Sequence, residues 1–218
     1  IGTQTISEGN YSFALGYRTR SSGWYSLSTG YSTWASGNFS TAMGYGSTAS
    51  GSHSLSIGQG ALASNWYSMA IGLKTIAEGQ QSMALGSETH AAGIYSLAMG
   101  KLSKASGISS IAIGFNNEAL DYAASIGYET YASGQYSTSV GYRTTASGAS
   151  SFAAGNQTVA SGGNSSSFGS YTRAGGDGSF SAGLQSEANG YASAAFGSLS
   201  LATGSYSFAA GLRSYAQG

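Results

Sequence analysis

The sequence predicts an all-β fold, a parallel β-roll (solenoid) wound in 14-residue turns, and three observations carry that prediction. A glycine recurs at 2, 16, 30, 44, 58, 72, 86, 100 and 114 and, after one step of thirteen, at 127, 141, 155, 169, 183, 197 and 211. A second glycine follows most of these by seven residues, at 9, 23, 37, 51, 79, 93, 107, 134, 148, 162, 176, 190, 204 and 218. Between the glycines, small residues alternate with variable ones, the two-residue period of strands and not the 3.6-residue period of helices. The array fills all 218 residues, so one domain, 1–218, of about sixteen repeats is expected, with one repeat shortened between Gly114 and Gly127.

Counting the first-column glycine as position 0, position 3 is Thr or Ser in fourteen of sixteen copies, the exceptions being Ala61 and Asn117. Position 5 is Ala in fourteen, with Ser7 and Ser21 as the remainder. This half-repeat reads as a strand with a small inward face. Its alternate residues, such as Arg18 and Arg20, Lys74 and Ile76, or Glu88 and His90, are variable and largely polar and are assigned to solvent. The second-column glycine at position 7 reads as a corner that needs positive φ; Asn65 and Asp121, which replace it, are types that tolerate the left-handed region.

In the other half-repeat, position 10 is Ser from Ser12 to Ser207 with Ala123 as the exception, and position 12 is always Ala or Ser. Between them stand large apolar pairs: Phe13 and Leu15, Leu55 and Ile57, Met69 and Ile71, Ile111 and Ile113. This is a strand with a small face and an apolar face, closed by a second corner at the first-column glycine. In the shortened repeat the lost residue is placed just after Asp121, with the strand from Tyr122 back in phase.

Two small faces can close only on a thin shared interior, and sixteen turns at the strand spacing of about 4.8 Å make a rod on the order of 75 Å long. Such an interior buries little apolar area, so further stabilisation is expected from the large apolar column. Leu15, Met43, Ile57, Ile71, Leu85, Met99, Ile113, Ile126 and Val140 form a stripe longer than a soluble monomer usually exposes, which predicts oligomerisation along its length. In the last third Phe152, Phe168, Phe180, Phe196 and Phe208 alternate position with a small partner, read as staggered rings at a crowded shared axis.

Composition excludes several classes of partner. Eight basic and eight acidic residues give no field for nucleic acid or an anionic membrane, and no apolar run is long enough to insert directly into a bilayer. Zero cysteines remove disulfides and Cys-held metals. Because Ile1 and Gly218 fall on the repeat itself, the chain is expected to be a fragment whose signals and anchor lie elsewhere.

No catalytic or metal site and no cofactor is expected. His53 and His90 lie in different columns, serine abundance follows from the repeat, and Gly175-Gly176-Asp177-Gly178 occurs once and reads as a corner insertion. Tyrosines at 17, 31, 45, 128 and 142, and at 11, 25, 67, 95, 122, 136 and 206, form ladders near the corners; they read as stacked stabilisers or, more sharply, as a sugar- or protein-binding platform. Trp34, Tyr131 and Tyr171 are the candidate ligand contacts, Trp34 being favoured over Trp24 and Trp66 because its column points outward.

Ser68-Met69-Ala70-Ile71-Gly72 followed by Leu73-Lys74-Thr75-Ile76-Ala77-Glu78-Gly79, with Ser110-Ile111-Ala112-Ile113-Gly114, closely resembles the head repeat of YadA-like trimeric autotransporter adhesins. The resemblance covers essentially the whole chain. It implies a left-handed coil, three chains side by side as a homotrimer, and a place on the bacterial cell surface at the outer membrane. The implied role is attachment to a host or prey cell-surface glycan or matrix protein; no enzyme activity is implied. No neck or heptad stalk is present. Two other readings compete: a phage tail-fibre or spike segment, and ice binding through the column Thr5, Thr19, Thr33, Thr75, Thr89, Thr130, Thr144, Thr158 and Thr172, which requires those threonines to face solvent.

Overall fold

A computed structural model describes residues 2–217; the second-column glycine at 218 lies outside them. Among the described residues every regular element is a strand. They fall into two compact units, Ile1–Ser109 and Ser110–Gly218, each built the same way. A full turn holds one five-residue strand, such as Phe13–Tyr17 or Ile111–Phe115, and one two-residue strand, such as Arg20–Ser21 or Glu118–Ala119.

In the first unit each long strand pairs in parallel with the long strand fourteen residues on, Met69 with Met83 and Ile71 with Leu85, and each short strand pairs likewise, Leu62 with Ile76. The second unit repeats this, with Phe152 opposite Ser166 and Val159 opposite Arg173. The chain is thus an all-β parallel solenoid. The two strands of a turn are not alike, however. The short one occupies positions 4 and 5 alone, while the long one runs from position 11 through the glycine to the residue after it. Tyr17, Tyr31 and Tyr45, expected at a corner, are therefore the last residues of long strands.

The small faces meet inside. Ala35, Ala42 and Ala49, from alternate sheets, form one buried cluster in the first unit, and Ala146, Ala153 and Ala160 form its counterpart in the second. The threonine column lies in this interior: Thr33, Thr75, Thr89, Thr130, Thr144, Thr158 and Thr172 are fully buried, and only Thr5 is half-buried. A flat, exposed threonine array is absent from the described residues, so the ice-binding reading has no surface to act through.

Burying hydroxyls requires partners, and the sequence supplies them in some turns. Ser28, Ser125, Ser139 and Ser167 at position 12 hydrogen-bond the hydroxyl of Thr33, Thr130, Thr144 and Thr172 at 2.7–2.8 Å. Where position 12 is instead Ala70, Ala84 or Ala153, the facing hydroxyl of Thr75, Thr89 or Thr158 has no partner. Each lone buried hydroxyl forgoes a bond worth about 1 kcal/mol.

The glycines act differently from the expectation. Second-column glycines do not adopt positive φ, and first-column glycines, with φ of +103° to +136°, lie inside strands and not at corners. Left-handed backbone falls instead two residues after each glycine, on 28 non-glycine residues with φ of 49–60° and on Gly46, Gly60 and Gly178. Backbone direction explains this. Tyr25 and Ser32, at such corners, donate their N–H to the preceding turn, at Asn10 and Tyr17, whereas Leu27 and Trp34 donate to the following turn, at Ser40 and Ser47. The glycines are needed because a Cβ on Gly72 would run into the carbonyl of Gly86, and one on Gly79 into that of Gly93. Asn65, in the second column, is likewise not left-handed; its Nδ2 donates to the Glu78 carbonyl at 3.0 Å.

The shortened repeat also differs from the expectation. Leu120 N–H donates to Ala132, and the Leu120 carbonyl accepts from Ala123, bonds that elsewhere belong to positions 6 and 7 separately, as in Glu8 to Ser21 and Ser12 to Gly9. The residue is therefore lost at the glycine column itself, and Asp121 stands at position 8, where its carbonyl accepts from Tyr136. In the same turn Asn117 fills the interior, fully buried. It donates to the Ile113 and Gly127 carbonyls at 2.6 and 2.8 Å and accepts from the Thr130 N–H and hydroxyl at 2.9 and 2.8 Å. Gly175-Gly176-Asp177-Gly178 is no insertion: Gly178 is an ordinary corner residue at φ +67°, and Asp177 Oδ1 accepts the Gly163 N–H at 2.7 Å.

Gly72→Ala should lower stability by about 3 kcal/mol or more, near the upper end for single substitutions, because the clash is with backbone. Gly46→Ala, at φ +64° with nothing within 4 Å of the added Cβ, should cost only about 1–2 kcal/mol. Urea denaturation of the two variants checks the contrast. Ala70→Ser, giving Thr75 the partner that Ser28 gives Thr33, should raise stability by about 1 kcal/mol in the same assay.

Candidate functional site

The outward face of the long-strand sheet is largely apolar in two parallel columns, positions 11 and 13, and the residue after the glycine adds a third column in which Tyr, Leu and Phe mix with polar residues such as Gln59 and Lys101. In the first unit position 13 runs Leu15, Thr29, Met43, Ile57, Ile71, Leu85, Met99, each opposite the next. Leu15, Met43 and Met99 are exposed, and Ile57, Ile71 and Leu85 are half-buried by their flanking turns. In the second unit the column continues as Ile113, Ile126, Val140, Ala154, Phe168, Ala182, Phe196. Phe152, Phe180 and Phe208 stand in the neighbouring position-11 column. Position 11 also carries Phe13, Leu27, Leu55, Met69, Met83 and Leu97, which widen the stripe in the first unit beyond a single column.

The alternating phenylalanines have a reason within one chain. Phe152, Phe168, Phe180 and Phe196 stack diagonally across the two columns at centroid separations of 5.1–5.5 Å, and Phe208 closes the series tilted at 5.7 Å. The rings touch each other turn upon turn, so a small partner beside each ring leaves room for the ring of the next layer.

Rings also line the corners. At position 9, Tyr11, Tyr25, Phe39, His53 and Tyr67 form a continuous ladder at 4.8–5.2 Å, which places His53 between two aromatic rings. At the end of the long strand Tyr17, Tyr31 and Tyr45 stack in the first unit, and Phe115, Tyr128 and Tyr142 in the second. His90 is placed elsewhere, its Nε2 within hydrogen-bond distance of Glu78 Oε2 at 2.9 Å. Arg143 bonds Glu129 at 2.6 Å, and that hydrogen bond raises its already high pKa. Among the described residues no three His, Asp or Glu side chains gather as metal ligands, and no helix is long and apolar enough to cross a membrane.

The three candidate ligand contacts are not brought together. Trp34 is on a short strand of the first unit, 45% exposed, with the Arg20 guanidinium 5.5 Å from its ring. Tyr131, on a short strand, and Tyr171, at a left-handed corner, belong to the second unit and to different columns. All three tryptophans are exposed, and Trp24 and Trp66, at position 8 of a corner, are more open than Trp34, at 58% and 59%. The position-8 column lies outside both strands, so strand alternation gave no reason to favour it.

Fold and surface together define a structural solenoid with an unpartnered apolar sheet face. The chain belongs to the YadA head domain repeat family, a family of structural adhesin domains and not of enzymes: the repeat model, written for two copies, matches overlapping segments spanning 1–19, 21–117, 121–172 and 188–214. The break at 118–120 coincides with the turn that loses a residue at Leu120. No curated protein matches the chain.

Trp34→Ala should cost about 1 kcal/mol or less, since it removes one partly exposed ring and one cation–π contact. Thermal melting followed by circular dichroism checks this; a loss of several kcal/mol would assign Trp34 a buried structural role.

Proposed function

We propose that this chain is the head of a bacterial trimeric surface adhesin, displayed at the outer membrane and attaching to host or other cell surfaces by multivalent contacts. In this reading three copies of a left-handed coil, one repeat array in each, pack their long-strand sheets together. The interface residues are Leu15, Met43, Ile57, Ile71, Leu85, Met99, Ile113, Ile126 and Val140, followed by Phe152, Phe168, Phe180, Phe196 and Phe208.

The observation that supports the reading is the apolar face itself. A thin interior of Ala, Ser and Thr sends every large apolar side chain outward, and the resulting stripe repeats in turn after turn of each unit. Soluble monomers rarely leave so long an apolar surface uncovered. Three copies related by a shared axis cover it with like residues at like heights. Adhesion then follows from repetition: weak contacts presented on three chains at once gain effective concentration without any one deep pocket.

Ile71→Asp or Ile113→Asp should place a carboxylate on that face in every copy and dissociate the assembly. Light scattering on the eluting protein should report a trimer mass for the natural sequence and a monomer or aggregate for either variant; an undisturbed trimer in both would overturn the interface. Retention on surfaces coated with matrix proteins or glycans tests the adhesive role.

A further inference from the structure

Position 8 of the first unit places Trp24, Asn38, Ser52 and Trp66 on four successive turns. Two indoles therefore bracket two turns that carry short polar side chains. Against Trp66 opens a groove of about 230 Å³ lined by Asn38, Phe39, Ser52, His53, Trp66 and Tyr67. One side of it is the ring ladder, Phe39, His53 and Tyr67 at successive separations of 4.8 Å.

We propose that this groove binds a neutral sugar residue within an oligosaccharide. The inference goes beyond the adhesin reading and needs no trimer, since every lining residue comes from one chain. Its chemistry has two parts. The exposed indole of Trp66 offers a flat apolar face, which suits the C–H face of a pyranose, while the ladder rings, stacked face to face on one another, leave their edges to the groove. The polar groups beside them are uncommitted: Asn38 Oδ1 is held by the Trp24 N–H at 3.0 Å, which fixes the amide while Nδ2 remains to donate. Ser52 Oγ, the His53 ring nitrogens and Trp66 Nε1 make no hydrogen bond within the described chain, so the lining residues keep donors and acceptors of both kinds uncommitted.

Other ligands fit this lining less well. No Asp, Glu, Lys or Arg lines the groove, so a charged ligand finds no fixed counter-charge. A wholly apolar ligand would cover four polar groups without pairing them. The volume is below the roughly 300–1,000 Å³ of pockets for drug-sized molecules. That size suits one sugar residue, with its neighbours running along the open corner.

The test uses the full chain on an immobilised panel of neutral oligosaccharides, acidic oligosaccharides and a proline-rich peptide. The natural sequence should be retained by at least one neutral oligosaccharide. Trp66→Ala should weaken that binding about tenfold, equivalent to about 1.4 kcal/mol, and Ser52→Tyr, which fills the gap between the indoles, should do the same without removing a ring. Gln135→Ala, at position 8 in the second unit, should bind as the natural sequence does. Retention by acidic sugars or the peptide alone, or equal retention of all variants, would overturn the proposal. Light scattering on the same samples separates the two readings: a trimer that holds no neutral sugar refutes the groove alone, and a monomer that holds one refutes the trimer alone.

Discussion

At the two glycine columns the backbone of each turn lies against the carbonyl of the next with no room for a Cβ. That contact lets successive turns stack closely, and seven residues per half-turn hold the two facing sheets of each turn close together as well. An interior this narrow admits only Ala, Ser, Thr and one Asn. Large apolar side chains have nowhere to go but outward, and because every turn has the same width they leave in the same direction at the same height. The apolar face is thus the counterpart of the narrow interior: what the interior cannot hold, the surface must carry.

The narrow interior is polar as well as small, and this changes what holds it together. Some of its hydroxyls bond each other across the two sheets or bond strand and glycine carbonyls, as Ser28 does to Thr33 and Ser26 to Gly23, while others, Thr75 and Thr89 among them, have no partner. Such pairs contribute little net energy but set the facing of the sheets, because a hydroxyl left alone in the interior is costly. Asn117 carries the same logic to the one turn that is short of a residue, its amide meeting four backbone and side-chain partners where a threonine would meet fewer.

Inside and outside were legible in the sequence because they depend on side-chain size at a fixed period, and period is what a repeat displays. The buried threonine and alanine columns and the apolar pairs at positions 11 and 13 fall where alternation puts them. Corners were not legible by the same route. Glycine was assigned to them by its usual freedom at positive φ, whereas here it mostly answers a close backbone approach, and the corner is taken in all but three cases by residues with side chains, Tyr most often. A signal was present nonetheless: the two corner columns contain no Val, Ile or Thr, the residues for which left-handed backbone is most strained. The groove against Trp66 is not legible from alternation along one strand, because it is made by what is missing on successive turns, the short side chains of Asn38 and Ser52 beside a large indole.

The phenylalanine series in the second unit has a period of two turns, while the surrounding columns have a period of one. Leu, Met and Ile columns look nearly the same after a shift of fourteen residues, so copies aligned through them alone could slide by one turn at small cost. A shift of one turn in the phenylalanine region sets a ring where its neighbour's small residue was. In the trimer proposed above, the doubled period would work as a vernier, able to distinguish the true axial alignment of neighbouring copies from its closest mistake.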